Sequence, residues 1–181
     1  MLVESFEVVS GGKLEIYRDE DCQNPRDWDN LGTMVFFHRR YKLGDKHSFA
    51  NPFELRDHLL ETEVPSVPVY MYDHSGLALQ TTPFSCPWDS GQLGVIYTTK
   101  EKVIKEFGNF SDKTQEKVLE VLKKEVETYS AYLEGHCYGF KRLDAEGKEL
   151  DACWGFIGDD HNQNGLFSHA GVDRKQLKKA D

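Results

Sequence analysis

The sequence predicts an α+β fold: a single domain, mostly antiparallel sheet, with one long amphipathic helix at about 112–134 and one or two short helices. Three observations carry this. Val118, Leu119, Leu122, Val126, Tyr129 and Leu133 recur at helical spacing, with Lys and Glu on the opposite face and Gly135 placed to end the helix. Much of the remaining chain falls into short β-branched and aromatic runs bounded by turn residues. The 181 residues are 39% hydrophobic and 29% charged, enough for one core and unlike a disordered chain. No linker or low-complexity tract divides them.

Residues 2–9 and 13–18 alternate as strands about a Ser10-Gly11-Gly12 turn. An acidic loop from Arg18 to Pro25 leads to a β-branched and aromatic strand at 33–38. Asn51-Pro52-Phe53-Glu54 starts a helix, with Asn51 as N-cap, Pro52 in the first turn and Glu54 completing a capping box. That helix is expected to reach about Leu60 and to bury Phe53, Leu55 and Leu59 or Leu60. Pro65 and Pro68 punctuate the chain, and 67–72, 77–81 and 93–98 read as strands. Thr98 with Glu101 would cap a helix at 100–107, ended by Gly108.

After the long helix, 136–143 and 148–157 form a hairpin around Asp144-Ala145-Glu146-Gly147. Tyr138 and Phe140 share one face, and Leu150, Ala152, Trp154 and Phe156 another. Setting both on the core side pairs Phe140 with Leu150 and places Cys137 opposite Cys153. The domain is expected to span 1–160. Residues 161–181 read as a polar tail, ending in a short basic helix at 173–179 or a frayed end.

The formal net charge is −9. Affinity for nucleic acid rests on Lys and Arg neutralising phosphates, so direct nucleic-acid binding is disfavoured. An acidic field suits a partner with a basic surface. Apolar runs such as 34–37 are too short to span a bilayer, so no membrane role is expected. The first seven residues carry acid and no basic segment, so no secretory signal is expected. Cys22, Cys86, Cys137 and Cys153 form no C-x-x-C pair, which argues against a zinc knuckle or a thioredoxin-type motif and for reduced thiols.

One motif occurs twice. Asn24-Pro25-Arg26-Asp27-Trp28-Asp29-Asn30-Leu31-Gly32 and Cys86-Pro87-Trp88-Asp89-Ser90-Gly91-Gln92-Leu93-Gly94 both run Pro, Trp-Asp, polar residues, Leu-Gly, then an apolar stretch. One account makes each Trp a plug at the sheet edge and each Asp an acceptor for the loop amides after it. The functional account sets both loops at one end of a sheet. Trp28, Asp29, Trp88 and Asp89 then join Asp19, Glu20, Asp21, Asp159 and Asp160 in a binding surface.

Cys86 is the candidate nucleophile. A helical turn beginning at Pro87 would favour its thiolate, with His74 as base and Asp73 or Asp89 as orienter. The acidic runs do not match calcium-loop spacing, and no metal or cofactor is expected. His38-Arg39-Arg40-Tyr41-Lys42 is a basic run with an aromatic inside, suited to phosphate or a single strand, or simply to a solvated sheet edge.

Three segments go together: 28–34 with His38–Asp45; Pro83-Phe84-Ser85-Cys86-Pro87-Trp88-Asp89-Ser90-Gly91-Gln92; and Tyr138-Gly139-Phe140 with Asp151-Ala152-Cys153-Trp154-Gly155-Phe156-Ile157-Gly158-Asp159-Asp160. The set resembles an uncharacterised family of small acidic proteins encoded by bacteriophages and prophages, over most of the chain to about residue 160. The resemblance brings no chemistry. It implies a setting, the cytoplasm of an infected bacterium, where small acidic phage proteins block host factors. Three readings follow. The favoured one is a binding protein that inhibits a host nucleic-acid-handling or defence complex, of the anti-CRISPR or anti-restriction type, with its acidic surface imitating DNA. The alternatives are a thiol hydrolase or transferase using Cys86, His74 and Asp89, and an accessory single-strand-binding protein using residues 38–42.

Overall fold

A computed structural model describes residues 1–179. The α+β class, the antiparallel pairing and the long helix are all present, with two sheets in place of one. The chain gathers into two compact units. Unit 1 comprises Met1–Asn24 and the chain from Ala131 onward, and unit 2 comprises Pro25–Ser130.

Unit 1 begins with the alternation read from the first eighteen residues. β1 (Leu2–Val8) and β2 (Lys13–Arg18) pair with Phe6 opposite Leu14, so Phe6, Val8, Leu14 and Ile16 reach the core. The chain returns from unit 2 to form β7 (Cys137–Leu143), β8 (Glu149–Ile157), the single turn α4 (Leu166–His169) and β9 (Leu177–Lys179). The strand order is β8-β7-β2-β1-β9. Unit 2 is therefore an insertion between two strands that are neighbours in the sheet of unit 1.

Residues 161–179 of the expected tail belong to this sheet and its core, and 180–181 lie outside the described residues. Leu166, Phe167, Ala170, Val172 and Leu177 are buried in it. Asp173 and Gln176 form a reciprocal capping box on a 3-10 turn at Arg174–Gln176, and β9 then pairs with β1, Val8 opposite Leu177. Apolar residues spaced through a polar segment hid this, because no periodic run announces a single turn and a three-residue strand.

The β7–β8 hairpin forms with a different register. Cys137 lies opposite Ile157 and Phe140 opposite Cys153, with irregularities at Tyr138/Gly139 and Arg142/Leu143. Gly155, at φ +91°, holds the left-handed backbone of a bulge. The extra residue reverses the facing of Asp151 to Trp154, and Leu150 falls at the second irregularity. Phe156 stays in the core, Cys153 turns toward it, and Leu150 and Trp154 turn outward. Trp154 lies over Gly139, where a Cβ would overlap its ring, and 6.0 Å from the ring of Tyr17.

Unit 2 contains β3 (Thr33–Phe36), α1 (Pro52–Thr62), β4 (Ser66–Asp73), β5 (Leu77–Gln80), β6 (Ser90–Tyr97), α2 (Lys100–Phe107) and most of α3 (Asp112–Leu133). The strand order is β3-β6-β4-β5. Val118, Leu122 and Val126 of α3 are fully buried, as the helical spacing requires. Leu122 and Ile96 close on Gly32 so tightly that a side chain there would strike both. Thr99, one residue later than expected, caps α2; Thr98 is buried and donates to the Leu31 carbonyl at 2.8 Å.

Candidate functional site

The two Trp-Asp copies have separate roles. β3 and β6 run antiparallel with Thr33 opposite Tyr97, so the loops that lead into them lie at opposite ends of the sheet. The copies therefore do not make one surface. The acidic runs at 19–21 and 159–160 belong to unit 1, and both Trp-Asp pairs to unit 2.

The first copy is built around Arg26, whose side chain is 4% exposed. Its guanidinium donates through Nε to Asp45 Oδ1 at 3.0 Å and through Nη2 to Asp45 Oδ2 at 2.6 Å. Nη1 donates to Glu125 Oε2 at 3.0 Å, and Nη2 also reaches the Gly32 carbonyl at 2.8 Å. The carboxylates in turn accept backbone N–H groups: Glu125 from Leu31 and Gly32, Asp45 from Met34. Burial alone would lower the proton affinity of Arg26; its bonds to Asp45 and Glu125 and their charges raise it. Asn30 closes the loop through the Pro25 and Trp28 carbonyls. This copy fastens the entry of β3 to α3. Trp28 rests on the surface, 44% exposed.

The second copy borders a polar cleft of about 300 Å³, lined by His38, Met71, Asp73, Trp88, Asp89 and Gln92 among others. Trp88 is 92% exposed and plugs nothing. Asp89 faces two groups: Cys86 Sγ at 3.7 Å and His74 Nδ1 at 3.4 Å. The expected trio does meet, but in the order Cys–Asp–His. A thiol enzyme needs the imidazole on the sulfur and the carboxylate behind it. Here a thiolate would face the negative charge of Asp89. No helical turn starts at Pro87, so the dipole expected to favour a thiolate is absent.

The basic run 38–42 is a loop, because β3 stops at Phe36. His38 Nδ1 accepts the N–H groups of Arg40 and Tyr41, and its ring stacks on Tyr41 at 5.1 Å. Arg40 lies over the Tyr41 ring, donates to its hydroxyl at 2.9 Å and pairs with Asp73. The Tyr41 hydroxyl donates to Asp73 at 3.2 Å. The bond to Tyr41, and then that to Asp73, raises the proton affinity of Arg40. The one carboxylate thus answers the most aromatic part of the run. Arg39 and Lys42 are exposed.

Beside the polar cleft lies an apolar groove of about 530 Å³, lined by Phe37, Phe53, Leu55, Leu59, Leu60, Leu93 and Val95 among others. Gln92 and Leu93 line both. The groove exists because α1 presents more apolar surface than it buries. Leu55 is buried, but Phe53 is 68% and Leu60 70% exposed, against expectation. Asn51 caps α1 by accepting from Phe53 and Glu54, and Glu54 reaches back to the Ala50 N–H. Glu54, Asp57 and Glu61 stand exposed on the same helix. Arg56 pairs with Asp57 and lies over Phe53.

In unit 1, several acids serve local structure. Asp19 Oδ2 accepts the Gly155 N–H at 3.0 Å. Asp159 accepts the Tyr138 hydroxyl at 2.5 Å and pairs with His136. Burial, then that bond, pushes the Tyr138 hydroxyl up to about 12. Asp160 caps a turn by accepting from Asn162 and Gln163, which holds its carboxyl below the usual range. Glu20 and Asp21 remain exposed.

Among the described residues, no three His, Cys, Asp or Glu side chains are arranged to hold a metal ion, and no helix is long and apolar enough to cross a membrane. No protein-family model, curated protein or solved structure matches this chain. The groove and the Arg26–Asp45–Glu125 network are the features that sequence reasoning missed. The sequence carries part of the groove's signal: Phe53 and Leu60, seven apart, share one face of α1, while Leu55, two residues on from Phe53, lies on the other.

Proposed function

We propose that this protein acts by binding a protein partner with a basic, partly apolar surface, as a phage-encoded accessory factor that blocks a host nucleic-acid-handling or defence complex in the bacterial cytoplasm. The observation that carries the reading is Trp88. A Trp that is 92% exposed, at the lip of a cleft and next to an apolar groove, is the anchor type that dominates interface energetics. Exposed Phe53 and Leu60 extend the apolar face, and Glu54, Asp57 and Glu61 supply the charge that suits a basic partner. Both units are acidic: 15 acids against 9 basic residues in unit 1, and 16 against 13 in unit 2. That excess also supports DNA mimicry, in which the acidic field draws a nucleic-acid binder.

The test is a photo-crosslinking amino acid at position 88 of the full chain, expressed in bacteria. One stoichiometric protein adduct is expected. Trp88→Ala and Phe53→Asp should each weaken capture of that protein by about tenfold or more, and salt should weaken it further. Equal capture by both variants, or recovery of nucleic acid in place of protein, would overturn the reading.

Cys86 and His74 both reach Asp89, and a second reading, thiol chemistry, needs His74 to turn from Asp89 onto the sulfur. It requires iodoacetamide to label Cys86 at neutral pH far faster than the part-exposed Cys22 and Cys153, with the excess lost in His74→Ala. Labelling at equal rates ends it.

A further inference from the structure

We infer that Cys22 and Cys137 are a thiol pair that closes to a disulfide when the protein meets a small-molecule disulfide oxidant, covalently closing the neck of the inserted unit. The sequence register had set Cys137 against Cys153. In the structure the neighbour of Cys137 across β8 is Ile157, and Cys153 lies opposite Phe140. The Asp19 N–H bonds to the Cys137 carbonyl, which sets Cys22, three residues on, beside Cys137, close enough for each thiol to act on the other's proton.

The backbone brings them together. Arg18 and Tyr138 are partners in the β2–β7 ladder, and the Asp19 N–H donates to the Cys137 carbonyl at 2.8 Å. The Asp19–Cys22 loop is then tied back, by Asp21 N–H to Asp19 Oδ1 and by Gly155 N–H to Asp19 Oδ2. Cys137 is buried and Cys22 is partly exposed, which orders the reaction. The Cys22 thiolate attacks one sulfur of a disulfide such as oxidised glutathione. The S–S bond breaks, and one small thiolate leaves and takes up a proton. Cys137 then gives its proton to solvent and attacks Cys22 Sγ, expelling the second small thiol. Two protein thiols are oxidised and one small disulfide is reduced to two thiols, so atoms and electrons balance. Burial, above all, raises the proton affinity of both thiols and pushes Cys137 up to about 12. The reaction therefore speeds up as pH rises.

The position gives the bond its meaning. Cys22 stands just before Pro25, where unit 2 begins, and Cys137 just after Ala131, where unit 1 resumes. All of unit 2 lies inside the loop that the disulfide would close. Cys22 also neighbours Asp19, Glu20 and Asp21, so the same bond fixes the acidic loop. This inference does not depend on the binding reading.

The full-length protein is incubated with oxidised glutathione at pH 8, and its thiols are counted by maleimide labelling. The count should fall from four to two, the intact mass should fall by two hydrogens, and a non-reducing peptide map should join Cys22 to Cys137. Cys22→Ser should show no internal disulfide, while Cys86→Ser and Cys153→Ser should still lose two thiols. Four free thiols, a different pair, or a glutathione adduct left unresolved on Cys22 would overturn the proposal. Cys22 is partly exposed, so its Ser variant keeps the test decisive even where Cys137→Ser fails to fold.

Discussion

Removing the Arg26 side chain would leave Asp45 and Glu125 facing each other with little water to screen them. Breaking a buried ion pair on one side costs about 3–5 kcal/mol. Arg26→Ala should therefore lower the unfolding free energy by about that amount, read from urea unfolding. A loss below about 1 kcal/mol would mean that the carboxylates find other partners. His161 offers a second residue-scale test. It is packed edge-on against Tyr138 and Phe167, and Asn164 donates to its Nδ1. Burial lowers its proton affinity, against the opposing charges of Glu4, Asp159 and Asp160. The unfolded chain, with an ordinary His near 6.5, then binds more protons in the window below that value. Stability is fully present above about pH 6.5 and is lost as pH falls through the lower folded value. The urea midpoint should decline from pH 7.5 to 5, and His161→Gln should flatten that decline.

The bulge at Gly155 decides which face of β8 is wet. It turns Trp154 outward over Gly139, a glycine that leaves room for an indole. Gly139→Ala should force the ring aside at a cost of about 1–3 kcal/mol, the range for overpacking. In Trp154→Ala/Gly139→Ala the added methyl should cost much less, so the pair should couple in a double-mutant cycle. This hairpin also marks how far the sequence could be read. Its two strands and its Asp144–Gly147 turn are legible from alternation and turn residues. The register is not, because a bulge shifts the pairing without altering the alternation on either side. Similarly, the cap of α1 is legible in Asn51-Pro52, but the exposure of Phe53 and Leu60 is not, since periodicity gives a face and not what covers it. At the cleft, Cys86, His74 and Asp89 could be named from residue type; their order around Asp89 depends on how a loop without regular structure folds back on the β4–β5 turn.

At the scale of the molecule, the segment after residue 160 is a structural part of unit 1. Truncation there removes Leu166, Phe167, Val172 and Leu177 from the core and takes β9 off β1. Each such side chain contributes about 1.5–3 kcal/mol by burial, and their sum rivals the entire stability of an ordinary domain, about 5–15 kcal/mol. A chain ending at 160 should lose the near-ultraviolet circular dichroism of its buried aromatics or fail to stay soluble. A truncated protein with native spectra and an unchanged urea midpoint would show that β9 and α4 are ornaments on a self-sufficient sheet.

The insertion of unit 2 between β2 and β7 also fixes a timetable for synthesis. The β1–β2 hairpin leaves the ribosome before unit 2, with the edges that β7 and β9 will cover still open. Its partner on one side, β7, begins at Cys137, and its partner on the other, β9, begins at Leu177. Every element of unit 2 is translated in the interval, and at about 5–20 residues per second that wait lasts several seconds. The contacts of unit 2 are all available before those of unit 1 can be completed, so unit 2 should become protease-resistant on stalled chains while the amino-terminal hairpin is still a substrate. Nascent hairpins with unpaired edges are where strands from neighbouring chains attach.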